Sequence, residues 1–415
     1  MEKRLSSWKY PIILLFGIGI SNIGMWIYFI ALNLMVFNMT GSALAVAALY
    51  IIRPLATLFT NLWCGSVIDR TNKKYMMILL DVTQGILITC LAFFSSSVGM
   101  IYLLVFFINM ASSIYGPTSI SYITRLIPSN NRQKFNSWRS LLDSGAFFLG
   151  PAITGVLFMI GTPIFAIYIN AIAFFFSAFV TLFMPNLEKK KVTTTATEKM
   201  SVDVLKKDWK LVLQFSRSHV YVMTIYFLFI AFIVMQTAID SLEVAFSKDV
   251  IHLSDSEYGF LVSIAGAGII IGAFINVILT KKLVVSWMIG LGSVIVSVGY
   301  LIFAFSPNFF MAAIGFFILA FANAFANTGY LTFYQNNIPV EVMGRFGSIY
   351  GFAEALLVIV ATALFAVTAH LVSIKFVVVS GAIFTLLLTL VLLLLNIRPS
   401  KQKLYHVLPD EGKHV

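Results

Sequence analysis

Gly65-Ser66-Val67-Ile68-Asp69-Arg70-Thr71-Asn72-Lys73-Lys74 forms a charged break where one long apolar run, 43–68, ends and the next, 75–95, begins. Each run is long enough to cross a hydrocarbon layer of about 30 Å as a helix of about 20 residues. The break is therefore a tight loop joining two membrane spans. Its Asp69, Arg70, Lys73 and Lys74 sit on one side of the bilayer.

The rest of the chain repeats this pattern. It has 415 residues, 60% apolar and only 11% charged, with 39 Phe and a mean hydropathy of +0.94. A soluble protein needs far more charge to cover its surface. The net charge of +11 does not indicate a nucleic-acid partner, because the basic residues lie in short loops between apolar runs. Cys64 and Cys90 both lie inside apolar runs without metal or redox spacing. His219, His252, His370, His406 and His414 are scattered. No His/Asp/Glu cluster falls at mid-membrane, so neither an enzyme nor a metal or other cofactor is expected. The first apolar run, from Pro11 to Phe37, is too long for a cleavable signal peptide.

Spans are predicted at 11–37, 43–68, 75–95, 98–125, 136–160, 163–184, 219–245, 255–280, 284–305, 308–335, 345–370 and 373–397. Alternate loops differ in character. Asn38-Met39-Thr40-Gly41, Ser95-Ser96-Ser97 and Gly161-Thr162 carry no basic residue. The opposite set carries Arg70/Lys73/Lys74, Arg125/Arg132/Lys134, Lys281/Lys282 and Arg345. Of the Lys and Arg residues, only Arg53, Lys248 and Lys375 fall outside the basic loops and termini. The excess of positive charge on the inside places both termini in the cytoplasm of a multi-pass cell-membrane protein.

The longest break separates two six-span halves. The division is 1–185 for the first bundle, 186–218 for a cytoplasmic linker, 219–397 for the second bundle and 398–415 for a cytoplasmic tail. Within the linker, Val202-Asp203-Val204-Leu205-Lys206-Lys207-Asp208-Trp209 reads as a short amphipathic helix against the inner membrane surface. A repeat supports the division. Ile127-Pro128 recurs as Ile338-Pro339, and the same offset pairs Lys134 with Arg345, Phe135 with Phe346, Ser137 with Ser348 and Asp143 with Glu354. Two related halves around a central pathway are a recurring transporter plan.

The loop at 65–74 resembles the GxxxDRxxRR pattern of the major facilitator superfamily. That resemblance implies an all-α membrane protein with twelve transmembrane helices in two pseudo-symmetric six-helix bundles. It also implies a conformational latch of Gly65, Asp69, Arg70, Lys73 and Lys74 against span 11 near Gly344 and Arg345. Gly65 permits close helix approach, and Asp69 faces the positive end of a neighbouring helix. The matching loop of the second half keeps only Lys281-Lys282. Gly150-Pro151-Ala152-Ile153-Thr154-Gly155 resembles the superfamily's antiporter element on span 5, with Thr154 in place of a glycine. Thr40-Gly41-Ser42-Ala43-Leu44-Ala45-Val46 and Ser254-Asp255-Ser256-Glu257-Tyr258-Gly259 resemble the macrolide-efflux branch.

In that superfamily spans 1, 4, 7 and 10 line the substrate cavity, and all four carry polar or aromatic stripes here. Asn22, Trp26, Phe29 and Asn33 share one face of span 1. Asn109, Ser113 and Gly116 do so on span 4. Span 7 offers Gln236, Asp240 and Glu243; span 10 offers Asn323, Asn327, Tyr330 and Tyr334. Such a lining suits a bulky amphiphile better than a sugar or a small ion. Charged residues inside spans are costly and usually functional. Arg53 lies near the bilayer middle and calls for a carboxylate or carbonyl partner, with Asp240 and Glu243 as candidates. Asp143 and Glu354 occupy matching places in spans 5 and 11. Asp143 has Arg139 one turn earlier, where Glu354 has Tyr350, so Glu354 is the expected titrating group and Asp143 the structural one.

These readings lead to proton-coupled export of hydrophobic or amphiphilic compounds by a monomer using alternating access. The rivals are a lipid, lysolipid or siderophore transporter of the same fold, and a non-transporting membrane sensor or scaffold. Asp69→Asn is expected to lower transport about five-fold, the equivalent of about 1 kcal/mol at a helix end, with expression and insertion intact. A full transport rate in a well-expressed Asp69→Asn protein, measured in vesicles, would remove the latch role.

Overall fold

A computed structural model of the chain describes residues 8–61, 64, 68, 71–127, 129–187, 202–279, 283–338 and 340–405. Among these, twelve helices are long and apolar enough to span a membrane. They are α1 Lys9–Thr40, α2 Ala43–Asn61, α3 Lys73–Phe93, α4 Val98–Leu126, α5 Ser129–Ile160 and α6 Pro163–Leu182. In the second half they are α8 Val220–Asp240, α10 Asp255–Leu279, α11 Val285–Ala304, α12 Phe309–Asn337, α13 Val340–Leu371 and α14 Ile374–Asn396. Two further helices, α7 Val202–Ser218 and α9 Glu243–Asp249, and a 3₁₀ turn at Pro399–Tyr405 complete the described residues, which contain no strand. In a bilayer the backbone must satisfy its own hydrogen bonds, which is why apolar runs of this length become helices.

The helix starts carry the internal repeat through both halves. Lys9, Val98, Ser129 and Pro163 open helices at the offset that separates them from Val220, Phe309, Val340 and Ile374. Equivalent helices also match in length, 29 residues for α4 and α12 and 32 for α5 and α13. The caps correspond as well: Ser97 accepts from the Met100 amide, and Asn308 from the Met311 amide. Phe135 and Phe346, paired by the repeat, are both completely buried.

The chain forms two compact units. The first comprises Met1–Thr194, Ser241–Gly266 and Thr362–Ile374; the second comprises Thr195–Asp240, Ala267–Ala361 and Lys375–Val415. In the first unit α1 packs along α5 and α6, α3 along α4 and α6, and α2 along α4. In the second, α11 lies along α12, with Gly299 and Gly315 bringing the two backbones together.

The two stretches that resemble the macrolide-efflux branch have local physical explanations, all within the first unit. Gly41 ends α1 in the left-handed conformation, φ 60°, and its N–H donates to the Phe37 carbonyl at 2.7 Å. Ser254 and Glu257 make a reciprocal cap at the start of α10: the Glu257 amide donates to Ser254 Oγ, and the Ser254 amide to Glu257 Oε2. Asp255 pairs with Lys248 at 2.5 Å and accepts from Asn38 at 2.8 Å. Ser256 Oγ donates to the Gly155 carbonyl at 2.8 Å. Tyr258 donates to Glu243 at 2.8 Å. A Cβ on Gly259 would stand 2.8 Å from Gly155 Cα. Every residue of Ser254–Gly259 therefore holds α10 against its surroundings.

One expectation needs correction here. The seventh span ends at Asp240, and the fully buried Ser241 and Leu242 turn the chain. Glu243 therefore belongs to the first turn of the short α9, where a carboxylate suits the positive helix end. The linker does contain a helix, α7, and its face of Val212, Phe215 and Ser216 packs inward. Ser216 shares a hydrogen bond with the Tyr350 hydroxyl at 2.7 Å, while Trp209, Leu211 and Leu213 are exposed. The start of the tail is also fixed to the second unit. Tyr405 is buried beside Phe333 and shares a hydrogen bond with Tyr221, and burial pushes its phenol above the ordinary range.

The glycine contact gives a stability test. Gly259→Val is expected to lower stability by about 1–3 kcal/mol through overpacking, read as a lower thermal midpoint of the purified protein. Gly145→Ala, where nothing stands within 4 Å of the added Cβ, should leave that midpoint unchanged.

Candidate functional site in the second-half helices

The second unit gathers an aromatic group that the sequence stripes only partly anticipate. Tyr330 and Tyr334 lie one turn apart on α12, and α8 brings Tyr226 to them. The three ring centroids stand 6.2, 6.2 and 6.4 Å apart, tilted by 35–41°. Phe229 stacks on Tyr330 at 4.0 Å. From α13, Phe346 meets Tyr226 at 4.9 Å and Tyr350 at 4.6 Å. Tyr226 and Phe346 are buried, whereas Tyr330, Tyr334 and Tyr350 are half-buried.

Glu354 follows Tyr350 by one turn on α13 and so shares its face. It is half-buried. Among the described residues it has neither a hydrogen-bond nor an ion-pair partner, and the hydroxyls of Tyr226 and Tyr330 also lack hydrogen bonds. Nearby on α12, Asn327 is exposed and donates to Asn323 at 3.0 Å. Gln236 on α8 keeps a buried, unbonded side-chain nitrogen.

The matching carboxylate of the first unit is placed differently. Asp143 is exposed on α5, accepts a short hydrogen bond from the Asn22 amide, and lies within the field of Arg139 one turn earlier. The repeat explains the contrast. The position matching Asn22 is Ile233, and the position matching Arg139 is Tyr350, so Glu354 inherits neither the donor nor the cation.

The other first-unit residues divide into packed and open ones. Trp26 packs edge-on against Phe147 at 4.4 Å and fills the space left by the missing side chain of Gly150. Pro151 continues that element inside α5, Thr154 bonds back to the Gly150 carbonyl, and Gly155 meets α10 as described. Asn33 is 1% exposed with both amide atoms unbonded, so it faces the packed interior and not an open cavity. Asn109 and Ser113 are half-buried and bond to carbonyls of their own helix. Asp81 is buried on α3 and accepts from Ser177 at 2.8 Å.

Arg53 also differs from expectation. Its side chain is exposed and has no partner among the described residues, so no buried carboxylate is needed to hold it. The two carboxylates expected beside it are engaged elsewhere: Asp240 accepts from Tyr300 at 2.7 Å, and Glu243 from Tyr258. Of the expected latch, Gly65, Asp69 and Arg70 lie outside the described residues, as do the side-chain surroundings of Gly344 and Arg345. The end of the loop is described. Asn72 caps α3, and Lys74 Nζ donates to the Leu182 carbonyl at the end of α6, where a cation meets the negative helix terminus. Lys73 is buried and donates to the Thr71 carbonyl.

The sequence matches the Major Facilitator Superfamily over residues 14–362 and 244–409. The chain belongs to the Major Facilitator Superfamily. A relative from Bacillus subtilis (strain 168), the uncharacterized MFS-type transporter YfiS, is 25% identical over 361 residues, 84% of each chain. Among solved structures, the nucleoside transporter NupG is similar with TM-score 0.74 at 13% identity, over 93% of this chain and 100% of that one. A peptide transporter, POT, gives 0.73 at 14% identity over 95% of both. A bacterial homologue of the iron transporter ferroportin gives 0.69 at 16%, over 95% of this chain and 100% of that one. These likenesses show the fold, and with the family match the chain is a multi-pass membrane transporter of the major facilitator type.

In this superfamily member the sequence stripes found Tyr330 and Tyr334 and the repeat found Glu354, but Tyr226, Phe229, Phe346 and Tyr350 were missed as one group. The repeat offset held a usable signal. The positions matching Tyr226, Tyr330 and Tyr334 are Leu15, Ser119 and Ile123, so the tyrosines belong to one half only.

The surroundings of Trp26 and Asn327 separate two effects. Asn327→Ala should shift the range of compounds moved while stability stays within about 0.5 kcal/mol. Trp26→Ala should lower stability by about 3 kcal/mol, because it opens a cavity against Phe147. Thermal midpoints and a transport panel on both variants check this.

Proposed function

We propose that this transporter exports hydrophobic or amphiphilic, drug-like compounds from the cell, macrolides among the candidates, in exchange for protons. In this reading it resides in the cell membrane as a monomer, with both termini in the cytoplasm. The observation that carries the reading is Glu354, a half-buried acidic side chain within a span, one turn from Tyr350, with no hydrogen-bond or ion-pair partner among the described residues. An unpaired ionised carboxylate away from water is unfavourable. A proton removes that penalty, and a change of surroundings during alternating access would restore it. A residue in that situation can couple proton movement to a conformational cycle. Asp143, already served by Asn22 and near Arg139, is the structural member of the pair. The wide aromatic surface with few amides favours an amphiphile over a heavily hydroxylated cargo, which would need many more hydrogen-bonding groups.

The test compares proton-driven transport with exchange of labelled substrate in proteoliposomes without a gradient. Glu354→Gln should lose at least about ten-fold in the driven mode, as expected for loss of a group engaged in coupling, and keep exchange. Asp143→Asn should lose far less of the driven mode relative to exchange. Full proton-driven export by Glu354→Gln would contradict the reading.

A further inference from the structure

We infer that α7 is a docking helix for anionic phospholipid, with Trp209 and Leu213 entering the bilayer surface and Lys210 and Arg217 meeting the phosphate-bearing headgroups. Three observations carry it, and none depends on the cargo or on proton coupling.

The first is the level at which the helix is held. α7 ends at Ser218, and the span α8 begins at Val220. His219 joins them closely: its amide donates to the Phe215 carbonyl at 3.0 Å, and its carbonyl accepts from the Met223 amide at 3.0 Å. Its ring stacks on Phe215 at 4.2 Å. Ser216 shares its hydrogen bond with Tyr350 at 2.7 Å, and Tyr350 is the second residue of the apolar span Ile349–Leu371. The last turn of α7 is thus fastened to two spans where both enter the hydrocarbon. Leu213 lies three residues and Trp209 seven residues before Ser216. Whatever the tilt of α7, they stay within about 5 and 10 Å of that level. The headgroup zone extends about 5–8 Å beyond the hydrocarbon on each side.

The second is what the helix leaves uncovered. Val212 is fully buried and Phe215 half-buried, so the inward face is satisfied. Trp209 and Leu213, one turn apart, remain 49% and 45% exposed. Water is a poor neighbour for that row, and an indole ring favours the boundary between hydrocarbon and water. Lys210 and Arg217 are exposed and share a face beside the row, seven residues apart. Long basic side chains can lay their stems on apolar surface and hold their charges among headgroups.

The third is the sign of the charge. α7 carries four basic residues against two acidic ones. Neither Lys210 nor Arg217 has an ion-pair partner among the described residues. A zwitterionic surface would accept Trp209 and Leu213 but supply no net charge to the two cations. An anionic leaflet satisfies both halves of the face, and each Lys or Arg near it favours docking about five-fold. An acidic protein would need a groove for the indole as well as carboxylates, whereas the bilayer already adjoins the spans to which α7 is tied.

The test places a nitroxide label at Leu213→Cys in a Cys64→Ala/Cys90→Ala background. The full-length protein is studied in nanodiscs of phosphatidylcholine alone, or of phosphatidylcholine and phosphatidylglycerol in equal parts. Collision with lipid-soluble oxygen and with a water-soluble nickel chelate reports the cover over the label. The ratio of covered to water-exposed label should rise at least about five-fold in the anionic discs. Lys210→Gln/Arg217→Gln should remove most of that rise, and Trp209→Ser should reduce cover in both discs. Thermal midpoints identify any variant that fails to fold. Should the cysteine-free background be one, native mass spectrometry of the parent chain decides. The parent should then retain phosphatidylglycerol over phosphatidylcholine, with the preference reduced several-fold in Lys210→Gln/Arg217→Gln. A label that stays in water in both discs overturns the lipid site and leaves a protein as the occupant of this face. A phosphatidylglycerol preference untouched by removal of both charges overturns it as well.

Discussion

A polar group inside a bilayer has no water to bond, and most of this structure can be read as a response to that constraint. Helices satisfy the backbone. Side chains are satisfied by neighbours: Thr154 and Thr385 bond back to their own helices, Asp81 accepts from Ser177, and Asp240 from Tyr300. Against that background an acidic side chain with no partner is an exception to be explained. Glu354 has no such partner among the described residues, and it shares the α13 face of Tyr350.

The internal repeat turns that exception into a controlled comparison. Both halves share helix starts, cap positions and the buried Phe135/Phe346 pair. Whatever both halves keep can be assigned to the fold. Among their differences are Asn22 against Ile233, Arg139 against Tyr350, and Leu15, Ser119 and Ile123 against the three tyrosines. Each substitution either removes support from the second-half carboxylate or adds an aromatic surface. Symmetry thus separates the scaffold from the chemistry placed on it.

Much of the architecture was legible in the sequence because membrane spans depend on length and hydropathy, which are local properties. Ser254–Gly259 was legible only as a likeness, although each of its residues has a local bond or contact. The seventh span was read too long, although Asp240, Ser241 and Glu243 make a polar break where the chain turns. Asn33 was misplaced for a related reason. Helical periodicity tells which residues share a face, but not whether that face meets an open surface or a packed neighbour. Tyr226 went unnoticed because its partners lie about a hundred residues away on α12 and α13.

The central claim is that Glu354 carries the proton whose movement is coupled to export. Proton release on cargo binding tests it most directly, read by a pH-sensitive dye in weakly buffered, purified protein without a membrane gradient. The account predicts that adding a transported macrolide releases protons from the parent protein and that Glu354→Gln abolishes this release. Undiminished proton release from a folded, cargo-binding Glu354→Gln protein would contradict it.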